Sequence, residues 1–116
     1  MKSLEQQLAE RAMACVHEVV GKGYEKEYGA LSHKFPYMVL ANGLRLTVAF
    51  LQSKYKEEHK QFLKDLETVL GMDLNQALKQ KSSTDYRVLT KRSLRASAWF
   101  KRYAQVILEV NAGDGE

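Results

Sequence analysis

The residues that most often perform chemistry are few in this sequence and lie apart. Cys15 is the only cysteine, and His17 is the histidine nearest to it in the chain. Two residues that are two positions apart on a helix point about 200° away from each other, so this pair cannot share a metal ion or act as thiol and base. His33 and His59 lie elsewhere, and the chain holds neither an HxxxH nor a CxxC pattern. We therefore expect no metal site and no cofactor.

Common catalytic motifs are also missing from the sequence. It contains no GxxxxGK[ST] loop, no GxGxxG turn and no GxSxG elbow. Glu57 and Glu58 resemble a pair of catalytic carboxylates, but adjacent residues on a helix diverge by about 100°. Acidic residues are favoured in the first turn of a helix, so we interpret this pair as a helix start. The sequence predicts a protein that is not an enzyme; a histidine-dependent nuclease without metal is the least favoured alternative.

One polar pattern exceeds the background charge of the chain. Residues 86–108, YRVLTKRSLRASAWFKRYAQVIL, contain six basic residues and no acidic one. The net charge of the whole chain is only +4, so the charges elsewhere nearly cancel. We predict that this run belongs to a long final helix from about Asp85 to Val110. Its basic residues are Arg87, Lys91, Arg92, Arg95, Lys101 and Arg102.

The basic residues of this helix are separated from its apolar face. Arg87, Lys91 and Arg95 follow i, i+4, i+8 spacing, and with Arg102 they fall within about 80° of one another around the helix. A solvated surface that aids solubility would explain such a stripe, and so would a ridge that contacts phosphates. The lack of acids and the excess of arginine, which binds phosphate through two hydrogen bonds, make a phosphate-contacting ridge as well supported as a solvated surface.

Two leucines of the same helix, Leu94 and Leu108, project away from the predicted apolar face. Exposed leucines occur by chance, but they also serve as anchors for another protein. We predict protein contact at Leu94 and Leu108, with Leu31 and Tyr37 as further candidates. Trp99 is interpreted as a border residue of the core rather than as a platform for base stacking.

These residues must be positioned by a small helical domain. The chain has 116 residues, 45% of them hydrophobic, and one proline, which suits one compact domain over residues 1–116 with a frayed tail at 111–116. A single cysteine and a polar N-terminus without the apolar stretch of a secretory signal indicate a cytoplasmic setting. The periodicity predicts an all-α bundle of five or six helices and no strands.

The helix boundaries are predicted from capping residues and glycines. Ser3 and Gln6 form a capping-box pattern at the start of the first helix, which stops at residues 21–23. A short helix follows at residues 24–33, and an amphipathic helix at residues 56–70 ends at Gly71. Asp73 and Gln76 start another short helix, which runs to about Lys79 and precedes the KQKSST segment.

The most apolar part of the chain is FPYMVLANGLRLTVAFLQSK, residues 35–54. We predict one central helix over residues 36–54 that begins at Pro36, because proline is favoured in a first helical turn. Its apolar residues point to all sides, which is typical of a helix enclosed by neighbours. Gly43 is interpreted as a site of close helix approach. The apolar part is shorter than the roughly 20 residues that span a bilayer, so we expect no membrane contact.

The same segment resembles a known family, the small all-helical subunit of the type III-B CRISPR effector, which is called the Cmr complex. The shared pattern is a proline, an apolar run, Asn-Gly-Leu, and a second apolar run that ends in Phe-Leu and Ser-Lys. Here those residues are Pro36, Asn42, Gly43, Leu44, Phe50, Leu51, Ser53 and Lys54. Further similarities are Arg11, Ala14, Tyr28, Tyr86, Trp99, Phe100, Lys101, Arg102 and Ala104.

This resemblance implies a non-catalytic subunit of a crRNA-guided ribonucleoprotein in antiviral defence. The implied partners are the backbone and large subunits of the complex, further copies of this chain, crRNA and target RNA. The family pattern does not say which residues contact RNA, and we assign that role, as a hypothesis, to Arg87, Lys91, Arg95, Lys101 and Arg102. The alternative is a free-standing small helical regulator that binds nucleic acid, although KQKSST is long for the turn of a helix-turn-helix.

Overall fold

The computed structural model describes residues 1–79 and 82–114, which contain helices, turns and loops but no strand. Six helices follow one another in these ranges, which confirms the predicted all-α class. Gln80 and Lys81 of the KQKSST segment, and Gly115 and Glu116 of the predicted tail, lie outside the described residues. The helices are α1 (Leu4–Val19), α2 (Glu25–Asn42), α3 (Leu44–Ser53), α4 (Glu57–Leu70), α5 (Leu74–Lys79) and α6 (Ser83–Val106).

Several helix ends are set by side chains close to them in the sequence. At α1, Ser3 Oγ accepts a hydrogen bond from the Gln6 N–H at 3.1 Å, and Gln6 Oε1 accepts one from the Ser3 N–H at 2.9 Å. This reciprocal pair is the predicted capping box. Ser82 Oγ accepts a hydrogen bond from the Asp85 N–H at 3.2 Å, so α6 begins before the predicted Asp85. Gly71, with φ of 72°, ends α4 as predicted.

The prediction of one continuous helix over residues 36–54 is wrong. Gly43 has φ of 86° and ψ of 159°, a backbone conformation that is essentially restricted to glycine, and it separates α2 from α3. Pro36 lies inside α2, which also includes most of the short helix predicted at 24–33. Packing of α2 against α4 and α6 holds the helix together although Pro36 removes one of its hydrogen bonds.

The core is centred on Phe62 of α4 rather than on residues 36–54. The centroid of its ring lies 5.7 Å from that of Tyr28, 5.1 Å from that of Phe35 and 5.2 Å from that of Phe100. All four side chains are fully buried. Because Tyr28 and Phe35 belong to α2 and Phe100 belongs to α6, this one aromatic cluster joins three helices.

The chain that follows α6 turns back onto α2. The helix ends at Val106 rather than at the predicted Val110, and Glu109 adopts φ of 59° in the turn. Val110 is buried against α2, and its carbonyl oxygen accepts a hydrogen bond from His33 Nε2 at 2.9 Å. A Cβ added to Gly29 would lie 2.6–2.8 Å from the side chain of Val110. The backbone of α2 at Gly29 therefore packs directly against the side chain of Val110, with no room for a larger residue.

Candidate nucleic-acid interface

The solvent side of α6 carries the predicted basic stripe, while its buried side faces the core through residues such as Leu89, Ala96 and Phe100. Arg87 and Lys91 are exposed. Neither forms an ion pair with any residue in the described ranges 1–79 and 82–114. These two cations are consequently open to an anionic partner from solution.

Arg95, the third member of the stripe, has an anionic partner within the chain. Its Nε donates a hydrogen bond to Glu5 Oε1 of α1 at 2.7 Å. The indole Nε1 of Trp99 donates to the other oxygen of the same carboxylate, Glu5 Oε2, at 2.8 Å. These hydrogen bonds, first from Trp99 and then from Arg95, lower the pKa of Glu5 below its ordinary value. Glu5 was not singled out by the sequence, because it lies 90 residues from Arg95.

The two remaining predicted RNA contacts lie over aromatic rings. The guanidinium carbon of Arg102 is 5.6 Å from the ring centroid of Trp99. Lys101 is half-buried, and its Nζ is 5.1 Å from the ring centroid of Tyr37 on α2. Trp99 is half-buried and stacks on Tyr103 with 6.0 Å between centroids. The structure thus places Arg95 and Arg102 beside Trp99, and Lys101 at the border with α2.

The expectation that Leu94 and Leu108 are exposed is wrong. Both side chains are half-buried and pack against the core, and Leu31, a further candidate, is 5% exposed. Leu94 is covered because α6 contacts α1 as well as α2, which widens its buried face, and Leu108 lies beyond the end of α6. The prediction that these leucines bind another protein therefore loses its premise. Tyr37, by contrast, is 64% exposed.

Exposed apolar surface instead surrounds the break between α2 and α3. Tyr37 and Leu40 of α2 are 64% and 71% exposed, and Leu46 and Phe50 of α3 are 65% and 47% exposed. We call these four residues the apolar corner. The residues of the family pattern lie partly in the core and partly on the surface. Leu44 is buried, Pro36 and Gly43 are half-buried, and Asn42, Phe50 and Lys54 are exposed.

The interpretation of residues 36–54 as an enclosed helix is therefore corrected. A helix of this small bundle is covered on one side by α4 and α6, so part of an all-round apolar sequence must face solvent. The all-round apolar pattern was the sequence signal for this surface, because large hydrophobic side chains that face solvent on both sides of the α2–α3 break are typical of a contact surface. The apolar corner adjoins the basic helix through Lys101, which lies over the Tyr37 ring, and Lys54 lies 4.7 Å from the ring centroid of Phe50.

Asp65 of α4 is a buried carboxyl group that accepts hydrogen bonds from two other side chains. Tyr28 Oη donates to Asp65 Oδ2 at 2.6 Å, and Gln61 Nε2 donates to Asp65 Oδ1 at 2.8 Å. Burial raises the pKa of Asp65 and raises that of the nearby Cys15 thiol to about 12. A reactive cysteine requires a lowered pKa, so the surroundings of Cys15 oppose its use as a nucleophile.

The described residues hold no group of three or more His, Cys, Asp or Glu side chains placed to bind a metal ion. His17 is exposed on α1, whereas His33 is buried and bonded to the carbonyl of Val110. Within residues 1–79 and 82–114, none of the helices has the length and apolar character needed to cross a membrane.

The fold and the surface together define a small helical protein with a basic helix beside an exposed apolar corner. Comparison with known proteins places it in a family: the sequence model of Cas_Cmr5, described as a CRISPR-associated protein, matches residues 4–107. The chain belongs to this family. The resemblance seen in residues 36–54 is thereby confirmed.

Two comparisons agree with this assignment. The chain is 34% identical over 113 residues to the CRISPR system Cmr subunit Cmr5 of Thermus thermophilus, with 94% of this chain and 99% of that protein covered. It also resembles the X-ray crystal structure of a CRISPR-associated Cmr5 family protein from the same organism. That likeness has a TM-score of 0.87 and 35% identity, and it covers 92% of this chain and 98% of the other.

Proposed function

We propose that this chain is a non-catalytic subunit of a type III-B CRISPR (Cmr) ribonucleoprotein in the cytoplasm. It stacks with the other subunits and with further copies of itself, and it lines the groove that holds crRNA and target RNA. Family membership over residues 4–107 carries the proposal, since the relative that shares 34% identity is a Cmr subunit. Burial raises the pKa of the Cys15 thiol to about 12, which opposes its use as a nucleophile and is consistent with a role without catalysis.

The arrangement of the two surfaces supports a position beside RNA. A subunit that lines a groove must contact a neighbouring protein and a nucleic acid with adjacent parts of its surface. Here the basic helix α6 meets the apolar corner of α2 and α3 at Lys101, whose Nζ lies 5.1 Å from the ring centroid of Tyr37. The corner then serves for protein contact, and Arg87 and Lys91 serve for contact with phosphates.

The experiment that tests this proposal is purification of the tagged protein from its native cells, with sequencing of the RNA that accompanies it and identification of the proteins by mass. Short crRNAs together with several larger subunits are expected. Recovery of the protein alone, or with DNA, would contradict the proposal and would favour the free-standing regulator.

Neutralising the open part of the basic stripe is expected to weaken RNA binding by the assembled complex. For Arg87→Gln/Lys91→Gln, the slope of log K against log salt should become shallower by about 1.4, from about 0.7 per lost single-strand phosphate contact. The matched control is Arg92→Gln/Lys26→Gln. This control removes the same charge at two exposed sites that lie away from Arg87 and Lys91. Arg92 points about 140° away from Arg87 around α6, and Lys26 belongs to α2 and lies beside Val110. Equal slopes for both double variants would exclude Arg87 and Lys91 as RNA contacts.

Charge placed in the apolar corner is expected to prevent assembly without unfolding the chain. Leu40→Glu and Phe50→Glu should each reduce incorporation into the complex at least about 30-fold, which corresponds to the roughly 2 kcal/mol of a central interface residue. Val106→Glu is the control, because Val106 is as exposed as Leu40, at 71%, but lies at the end of α6. Incorporation is measured by co-purification with the tagged backbone subunit. Wild-type incorporation of both corner variants would remove this surface from the interface.

A further inference from the structure

The contact between α1 and α6 has the form of an occupied anion site. Arg95 and Trp99 lie one turn apart on α6, and their N–H groups converge on one carboxylate, that of Glu5, at 2.7 Å and 2.8 Å. Each carboxylate oxygen receives one of the two donors. The pair therefore works as a two-point clamp for a group that presents two oxygens and a negative charge, and we call Arg95 and Trp99 the α6 clamp.

The clamp is accessible to a ligand from solution. The side chains of Arg95 and Glu5 are 49% and 42% exposed. A shallow depression lies at this place, lined by Glu5, Arg95, Ala98, Trp99 and Arg102. Arg102, above the Trp99 ring, adds a second positive charge at its edge. With Glu5 in place the three charged side chains sum to one positive charge, and without it two positive charges face the depression.

The chemistry of the clamp suits an RNA phosphate. A phosphodiester presents two non-bridging oxygens and one negative charge, as a carboxylate does, and arginine binds both groups through its N–H donors. The clamp also lies on the stripe that contains Arg87 and Lys91, whose spacing continues into Arg95. Glu5 is in the first turn of α1 and its side chain is 42% exposed, so it can rotate to solvent at the loss of its hydrogen bonds to Arg95 and Trp99.

We propose that the α6 clamp is a phosphate-binding site for the RNA backbone and that the Glu5 carboxylate occupies it in the free chain, in competition with RNA. This inference rests on the proposed function, because it assumes that α6 faces RNA. It adds the location of one phosphate contact and a built-in competitor for it. Arg95 then contacts RNA only after Glu5 has left, whereas Arg87 and Lys91 are available from the start.

The test uses the full-length chain and a fluorescently labelled single-stranded RNA, with affinity measured by anisotropy over a salt series. Glu5→Gln keeps the shape of the side chain and removes its charge. We expect about two- to fivefold tighter RNA binding, the range of one exposed charge pair, and a salt slope steeper by about 0.7. Glu10→Gln is the matched control, since Glu10 is also on α1 and also forms an exposed ion pair, with Lys2 at 2.6 Å. In an Arg95→Gln background, Glu5→Gln should bring no gain.

A second measurement observes the clamp directly. Trp99 is the only tryptophan of the chain, so its indole N–H gives a single, assignable NMR signal. That signal is expected to shift when RNA is added, and to shift at lower RNA concentration in Glu5→Gln. The experiment is repeated with a poly-glutamate peptide, which tests whether the clamp instead takes a carboxylate from another protein.

The possible outcomes separate this inference from the proposed function. If RNA binding depends on Arg87 and Lys91 but Glu5→Gln behaves like Glu10→Gln and the indole signal does not move, the clamp is refuted and the proposed RNA contact stands. If poly-glutamate moves the indole signal and RNA does not, the site binds a protein carboxylate and the inference is wrong. If RNA binding responds to neither Glu5→Gln nor Arg87→Gln/Lys91→Gln, in the isolated chain and in the assembled complex alike, both the inference and the RNA-contacting role fail.

Discussion

Phe62→Ala is expected to lower the free energy of unfolding by about 3–5 kcal/mol, the cost of removing a large aromatic side chain from a packed core. Phe62 is fully buried and its ring contacts three other aromatic rings, from α2 and α6. The substitution leaves a cavity where these helices meet, and Tyr28, Phe35 and Phe100 lose their common neighbour. The change is measured by urea unfolding followed by circular dichroism.

The matched control for this prediction is Phe50→Ala. Both substitutions remove the same atoms, but Phe50 is 47% exposed in the apolar corner. The control should change the free energy of unfolding by no more than about 0.5 kcal/mol, as is usual for surface sites. Comparable destabilisation by the two substitutions would contradict a core centred on Phe62 of α4. It would instead support the prediction that the core is centred on residues 36–54.

Gly29→Ala is expected to destabilise the protein by about 1–3 kcal/mol, because the new Cβ would overlap a packed neighbour. The Cβ would lie 2.6 Å from Cβ of Val110, an atom that cannot move without its backbone. The direction of this effect is informative. In a helix with free space around it, the same substitution would stabilise by up to about 1 kcal/mol through helix propensity. The shift is measured as a change in the free energy of unfolding or in Tm.

A double-mutant cycle isolates the cause of this loss. In a Val110→Gly background the obstructing side chain is gone, so Gly29→Ala should no longer destabilise. If Gly29→Ala stabilises the otherwise wild-type chain, the return of residues 107–110 onto α2 is not present in solution. The same cycle reports on His33, because the turn that carries Val110 also supplies the carbonyl that His33 contacts.

The apolar corner and the basic stripe differ in whether their residues are free to bind a partner. The apolar corner and the pair Arg87 and Lys91 are open in the free chain, whereas the α6 clamp is closed by Glu5. Stable contact with another subunit would bring RNA to the open cations first. The displacement of Glu5 would then follow from the high local concentration of phosphates, which exceeds what a single weak contact in solution provides.

Features that depend on neighbours along the chain could be predicted from the order of the amino acids. The capping box at Ser3 and the end of α4 at Gly71 belong to this group, because they rest on hydrogen bonds and backbone angles within a few residues. The separation of Arg87 and Lys91 from the buried side of α6 followed from the helical repeat alone. The family pattern in residues 36–54 was also present in the sequence, and it led to the correct family.

The packing of the helices, in contrast, sets which apolar residues are covered and which charges are paired. Leu40 and Phe50 are large hydrophobic residues of the kind found in cores, yet they are exposed. The reason is that α4 and α6 pack against only one side of residues 36–54. The hydrophobic pattern predicts one helix that continues through Gly43, but α2 ends there. Hydrophobic periodicity depends on the side chains, so it could not predict the positive φ of Gly43. Glu5 reaches Arg95 across 90 residues, and Gly29 meets Val110 across most of the chain. Contacts of this range depend on how all the helices pack at once, so no local pattern encodes them.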